Sequence, residues 1–101
     1  MLDLTLQILA NKQRRRILTE LFESRRGHGV CVPEEVADEE TELEDLYTEI
    51  CHAHLPLLED AQLVTWNADT HTVERGAKFD DVCPLLDVLT TNTHKLPGEW
   101  V

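Results

Sequence analysis

Cys51-His52-Ala53-His54 is the densest group of metal-ligating residue types in the chain, and thiolate and imidazole donors packed this closely invite a tetrahedral ion. Helical geometry limits that reading. At about 100° per residue, Cys51 and His54 lie near one face while His52 points nearly opposite, so one helix offers at most two ligands. Cys31, Cys83, His28, His71 or His94 would have to complete the shell, and nothing in their spacing compels it. No metal site is therefore expected. His54 reads as a core histidine hydrogen-bonded to backbone or a carboxylate, and His52 as a surface residue. Cys31, Cys51 and Cys83 are odd in number, far apart and outside any CxxC pair, so they are expected as reduced, mostly buried thiols. Ser24 is the single serine and no stretch is glycine-rich. Neither a nucleophile elbow nor a phosphate cradle can be assembled from this set, so neither an enzyme nor a cofactor is expected.

The charged residues are the second chemically expressive set. The 101 residues carry 20 acids and 9 bases, a formal charge of −11. Lys12, Arg14, Arg15, Arg16, Arg25 and Arg26 fall in one early segment, and only Arg75, Lys78 and Lys95 follow. Between residues 27 and 74 there is no Lys or Arg, yet 13 of the 20 acids lie there, so the middle of the chain is uniformly electronegative. Such a balance with few lysines suits a protein solvated in concentrated salt, where the Debye length shrinks to about 3 Å at 1 M. The apolar runs are too short for a membrane span or a signal segment, so a cytoplasmic protein without membrane contact is expected. The length suits one domain over residues 1–101, with a core over about 2–89 and a loosely docked tail over 90–101.

Those residues need elements to position them. Residues 2–9 are apolar enough for a short helix, and Asn11 is placed to cap a second one running through Ser24, with Ile17, Leu18, Leu21 and Phe22 on its buried stripe. Arg14 falls within that stripe, Arg15 at its margin and Arg16 on the far side, so Arg14 is expected as a structural ion-pair partner. Val30-Cys31-Val32 is a strand candidate, and Pro33 suits the first turn of a helix to Asp38 that packs Val36 and Ala37 inward. Thr41 with Glu44 fits a capping box. Leu43, Leu46, Tyr47, Ile50, His54, Leu57, Leu58 and Ala61 then recur at helical spacing, with a kink or a tightened turn expected at Pro56, which cannot donate to the carbonyl of His52. Residues 63–66 and 71–74 read as a β-hairpin about the turn Asn67-Ala68-Asp69-Thr70, with Val64, Trp66, His71 and Val73 on one face. A last helix follows Gly76 and presents Phe79, Val82, Leu85, Leu86 and Leu89, with Pro84 near its start. The fold class expected is mainly α with a small β-hairpin.

This order is that of a winged helix-turn-helix. LANKQRRRIL, followed some thirty residues later by CHAHLPLLEDAQLVTWNADTHTV, resembles the haloarchaeal winged-helix domains of the arsenical-resistance-regulator (ArsR)-like superfamily, over about residues 2–89. The resemblance implies a recognition helix from Thr41 to Ala61, a wing tip at Asn67 to Thr70 and a homodimer formed by the terminal helices. It also implies Gly where Gln62 stands. Leucine and valine at both ends exceed what one small core needs, in keeping with a two-helix dimer interface.

The resemblance implies a DNA-binding transcription regulator, while the residues resist it. The outward face of the expected recognition helix presents Asp45, Thr48, Glu49, His52, Pro56 and Glu59 with no permanent positive charge, whereas DNA affinity comes largely from Lys and Arg neutralising phosphates. If DNA is bound, Thr48, Glu49 and His52 are the residues placed near bases, and Arg16, Arg26 and Arg75 those placed near phosphates. The alternative is a winged-helix protein-interaction or dimerisation module that does not itself bind DNA and has a protein partner. Trp66 is expected to pack in the hairpin and Trp100 to tether the tail.

Overall fold

The computed structural model describes residues 2–24, 29–37 and 42–96. Two N-terminal helices, α1 (Leu2–Leu9) and α2 (Lys12–Glu23), are joined by Ala10-Asn11. Asn11 caps α2 as its type and place demand, its side-chain oxygen accepting from the amides of Gln13 at 2.9 Å and Arg14 at 3.2 Å. β1 (Val30–Cys31) leads through Pro33 into a single 3₁₀ turn, Glu34–Val36, where a longer helix to Asp38 was expected; Asp38 lies outside the described residues. Val36 is buried and Ala37 half-buried, as their spacing requires.

The long helix is present over residues 43–60, but in three parts: α3 (Leu43–Glu49), a π-helical turn (Ile50–His54) and α4 (Leu55–Asp60). It begins at Leu43 with Glu42 at the N-cap, and no side chain caps it; the expected cap, Thr41, lies outside the described residues. The π turn answers Pro56. With no amide at that position, the ladder slips by one residue and the Leu55 amide bonds the carbonyl of Ile50. One extra residue in the turn rotates everything downstream. Leu55 is therefore buried where Leu57 was expected, and Leu57 is 36 % exposed. Leu43, also expected inside, is 48 % exposed at the helix start.

Helix α4 ends in a Schellman arrangement: the Gln62 amide bonds the carbonyl of Glu59 and the Leu63 amide that of Leu58. Gln62 takes a φ of 61°, the left-handed conformation that favours glycine, so its Cβ carries backbone strain there.

β2 (Val64–Asn67) and β3 (Thr72–Arg75) form an antiparallel hairpin, and β1 adds to the outer edge of β3, giving a three-stranded antiparallel sheet in the order β1-β3-β2. The hairpin turn sits one residue later than expected. His71, with a φ of 53°, belongs to the exposed turn and not to the inner face, and the carbonyl of Asn67's side chain organises the turn by accepting from the Asp69 amide. Val30, Val64 and Val73 line the inner face with Trp66 half-buried beside them. Gly76 passes so close to the end of α4 that a Cβ there would lie 2.5 Å from the carbonyl oxygen of Gln62.

A 3₁₀ turn (Phe79–Asp81) carries the chain into α5 (Cys83–Thr91), and another (Thr93–Lys95) follows. Thr90 and Thr91 of the expected tail lie in α5 and Thr93–Lys95 in this last turn, while Trp100 lies outside the described residues. One core joins all layers: Ile8 and Leu9 of α1, Ile17, Leu18 and Leu21 of α2, Leu46, Ile50, Leu55 and Leu58 of the long helix, the sheet valines, and Phe79, Val82 and Leu86. No helix among the described residues is long and apolar enough to cross a membrane.

Candidate functional site

The outward face of residues 43–60 is the surface that fold and sequence both single out. Asp45, Thr48, Glu49, His52, Pro56 and Glu59 are all exposed on it. Thr48 bonds back to its own helix, its hydroxyl donating to the carbonyl of Glu44 at 3.0 Å. The structure thus brings Thr48, Glu49 and His52 together on one solvent-facing surface that carries carboxylates and no Lys or Arg.

The arginines expected to flank that face point to other work. Arg75 donates from Nε and Nη2 to the carbonyl of Leu21 at 3.2 and 2.8 Å, and from Nη2 to those of Phe22 at 3.2 Å and Ser24 at 3.5 Å. Its guanidinium also lies 4.8 Å over the Phe79 ring. Arg75 is therefore the C-terminal cap of α2, supplying donors and positive charge where the helix leaves carbonyls unpaired. Arg16 donates to the carbonyl of Ala37 at 3.4 Å, just beyond the 3₁₀ turn, while its buried Nε has no partner. Arg26 lies outside the described residues.

Arg14 and Arg15 cap α1 in the same way. Arg15 Nη1 donates to the carbonyl of Leu9 at 2.9 Å; Arg14 donates from Nε to that of Ile8 at 2.8 Å and from Nη2 to that of Gln7 at 3.1 Å. The partners of Arg14 are these carbonyls and an imidazole, not the carboxylate that its place on the buried stripe suggested. Sequence reasoning missed these caps because the bond lengths depend on where α1 turns back on α2. The run of three arginines directly after a helix break was the available signal.

The imidazole is that of His54, 3 % exposed in the π turn. Its Nδ1 lies 3.3 Å from Arg14 Nη1, so it accepts there and the neutral ring carries its proton on Nε2. Nε2 is buried without a hydrogen-bond partner, with Glu49 Oε1 at 3.7 Å. Burial first and the Arg14 charge second hold the His54 pKa below the ordinary imidazole value, against a weaker opposing pull from Glu49.

The three cysteines are free but not mostly buried: Cys31 is exposed, and Cys51 and Cys83 are half-buried. Burial raises the pKa of the Cys83 thiol, which donates to the carbonyl of Phe79 at 3.5 Å. A hydrogen bond between the Tyr47 hydroxyl and Cys51 raises the tyrosine pKa. Tyr47, Trp66 and His71 form an aromatic group that ties the long helix to the hairpin, with 4.9 Å between the Tyr47 and His71 ring centroids. Among the described residues, no group of three His, Cys, Asp or Glu could hold a metal ion. Glu20, Glu23, Ser24, Gly29, Val30 and Glu35 line an open cleft of 340 Å³; burial and the neighbouring Glu23 raise the Glu20 pKa there.

The class that fold and site define is a mainly helical domain with a three-stranded antiparallel sheet and an acidic exposed face on its longest helix. Residues 6–74 match the model of a family described as a domain of unknown function (DUF7344), and the chain belongs to that family. The matched stretch runs from α1 to β3 and stops one residue before Arg75. No curated protein and no solved structure matches the chain.

Proposed function

We propose that this chain is a winged helix-turn-helix module of a transcription regulator, homodimeric through its terminal helices, that acts through protein contacts beside a DNA-binding partner. The order helix, strand, helical turn, long helix, hairpin, with β1 against β3, supports the winged-helix reading. The observation that carries the protein-contact reading is that all four described arginines, Arg14, Arg15, Arg16 and Arg75, donate to backbone carbonyls. Among the described residues, the arginines that could flank the acidic face thus have their donors committed to helix ends and the 3₁₀ turn.

The dimer reading rests on charge. α1 (LDLTLQIL) and α5 (CPLLDVLTT) carry one acid each and no base, whereas residues 43–60 carry five acids. Two chains of charge −11 approach each other with least repulsion across these sparsely charged helices, where Leu4, Leu6 and Val88 are 41 %, 52 % and 56 % exposed. A Val88→Glu substitution should turn dimer to monomer in sedimentation at molar KCl. An unchanged mass would refute this interface.

Direct DNA binding is the second reading, favoured by the winged-helix order itself. DNA binding measured across a KCl series separates the two. Under the first reading, a promoter pool is not bound at any salt. Direct reading by this acidic face requires binding that is absent in dilute buffer and strengthens as KCl rises. Tight binding in dilute buffer that fades with salt would be ordinary phosphate neutralisation and would overturn both accounts of the face.

A further inference from the structure

Around the buried ring of His54, Arg14 and the exposed Glu49 link α2, the long helix and, through its carbonyls, α1. Arg14 reaches from α2, bonding the carbonyls of Gln7 and Ile8 with two of its nitrogens and the ring of His54 with a third. His54 belongs to the π turn and has Glu49, one turn earlier on the same helix, 3.7 Å from its other nitrogen. The charged groups acting on the ring are Arg14 from α2 and Glu49 from its own helix; α1 contributes carbonyl oxygens that hold the same guanidinium.

We propose that His54 is a proton-operated latch: the neutral ring holds Arg14 on the C-terminus of α1, and the protonated ring releases Arg14 and turns to Glu49. The chemistry follows from the donor count. A neutral ring accepts from Arg14 at Nδ1, and a proton arriving there places donor against donor and cation against cation at 3.3 Å. The same proton gives Glu49 an imidazolium to bind, and the unpartnered Nε2 already faces it. The two states differ in which neighbour satisfies the ring, and Arg14 carries the difference to α1. Nothing in this depends on a partner, so the latch stands whether or not α1 forms a dimer face.

The test uses the full chain in molar KCl. The His54 ring nitrogens are titrated by NMR, and protection of the backbone amides of α1 and of Ala10, which bonds the Gln7 carbonyl, is followed over the same pH range. The expected result is a ring midpoint below 6.5 and a fall in α1 protection with the same midpoint. That fall should be about tenfold for each unit by which the midpoint lies below 6.5. Glu49→Gln, an exposed position, should lower the midpoint further and keep α1 protected to more acidic pH. A midpoint at or above 6.5, α1 protection that is flat across the ring's titration, or no response to Glu49→Gln would each overturn the latch. Arg14→Gln should abolish the coupling, and the wild-type comparison decides the matter even if that variant does not fold.

Discussion

Replacing Arg75 with Ala separates a structural cap from a phosphate contact. The guanidinium serves the carbonyls of Leu21, Phe22 and Ser24 at the end of α2 and rests on Phe79. Hydrogen bonds from a charged donor contribute about 1.5–3 kcal/mol each when buried, but Arg75 is exposed and water replaces part of what is lost. A charge at a helix C-terminus adds about 0.3–1 kcal/mol, and an exposed cation over an aromatic face about 0.5–1 kcal/mol. Discounted for exposure, the loss is about 2 kcal/mol, or about 8–16 °C in Tm for a domain of this size. Arg75→Lys keeps the charge but not the planar fork, so it should recover less than half. The assay is urea unfolding at fixed molar KCl, where screening weakens the charge part and leaves hydrogen bonds and packing. A destabilisation under about 0.5 kcal/mol would refute the capping role and return Arg75 to the surface as a free cation.

Three other outcomes follow from the same physics. Gln62→Gly removes a Cβ from a left-handed residue in the Schellman turn and should raise stability by about 1 kcal/mol in the same urea assay. Gly76→Ala places a methyl group 2.5 Å from the Gln62 carbonyl oxygen and 2.7 Å from the Val64 amide nitrogen, both backbone, and should cost about 2–4 kcal/mol with a matching fall in Tm. Because folding lowers the His54 pKa, the unfolded chain binds more protons in mild acid. The stability from the neutral ring is therefore complete above 6.5 and is lost as pH falls toward and through the lower folded value, which unfolding at a series of pH values will display as a slope absent in a His54→Gln chain.

Much of the scaffold is legible in the chain because its causes are local. Asn11 caps α2 through amides two and three residues away, and the apolar spacing of Ile17, Leu18 and Leu21 places them inside without reference to any neighbour. The hairpin and the Pro84 helix start follow from turn chemistry and a missing amide in the same way. The phase of the long helix is less legible. Pro56 announces a defect, but whether the ladder kinks or slips is settled by which leucine the core accepts, and the core accepts Leu55. Of the residues placed at a nucleic-acid face, Thr48, Glu49 and His52 share a surface, as helical spacing dictates. Arg16 and Arg75 were read as basic flanks on type alone, and type does not say what a guanidinium will touch.

By itself the sequence determined a mainly helical domain with a short hairpin, a core of periodic leucines, isoleucines and valines, and a middle stretch without a single Lys or Arg. Those properties depend on neighbours a few residues apart or on composition. Only the tertiary structure decided that β1 joins β3, that Arg75 caps a helix end 54 residues earlier in the chain, and that His54 meets Arg14 across 40 residues. The reason is geometric: an arginine's five donors suit a phosphate or an unpaired carbonyl equally well, and only the packing of α1, α2 and the sheet determines which acceptor comes within reach.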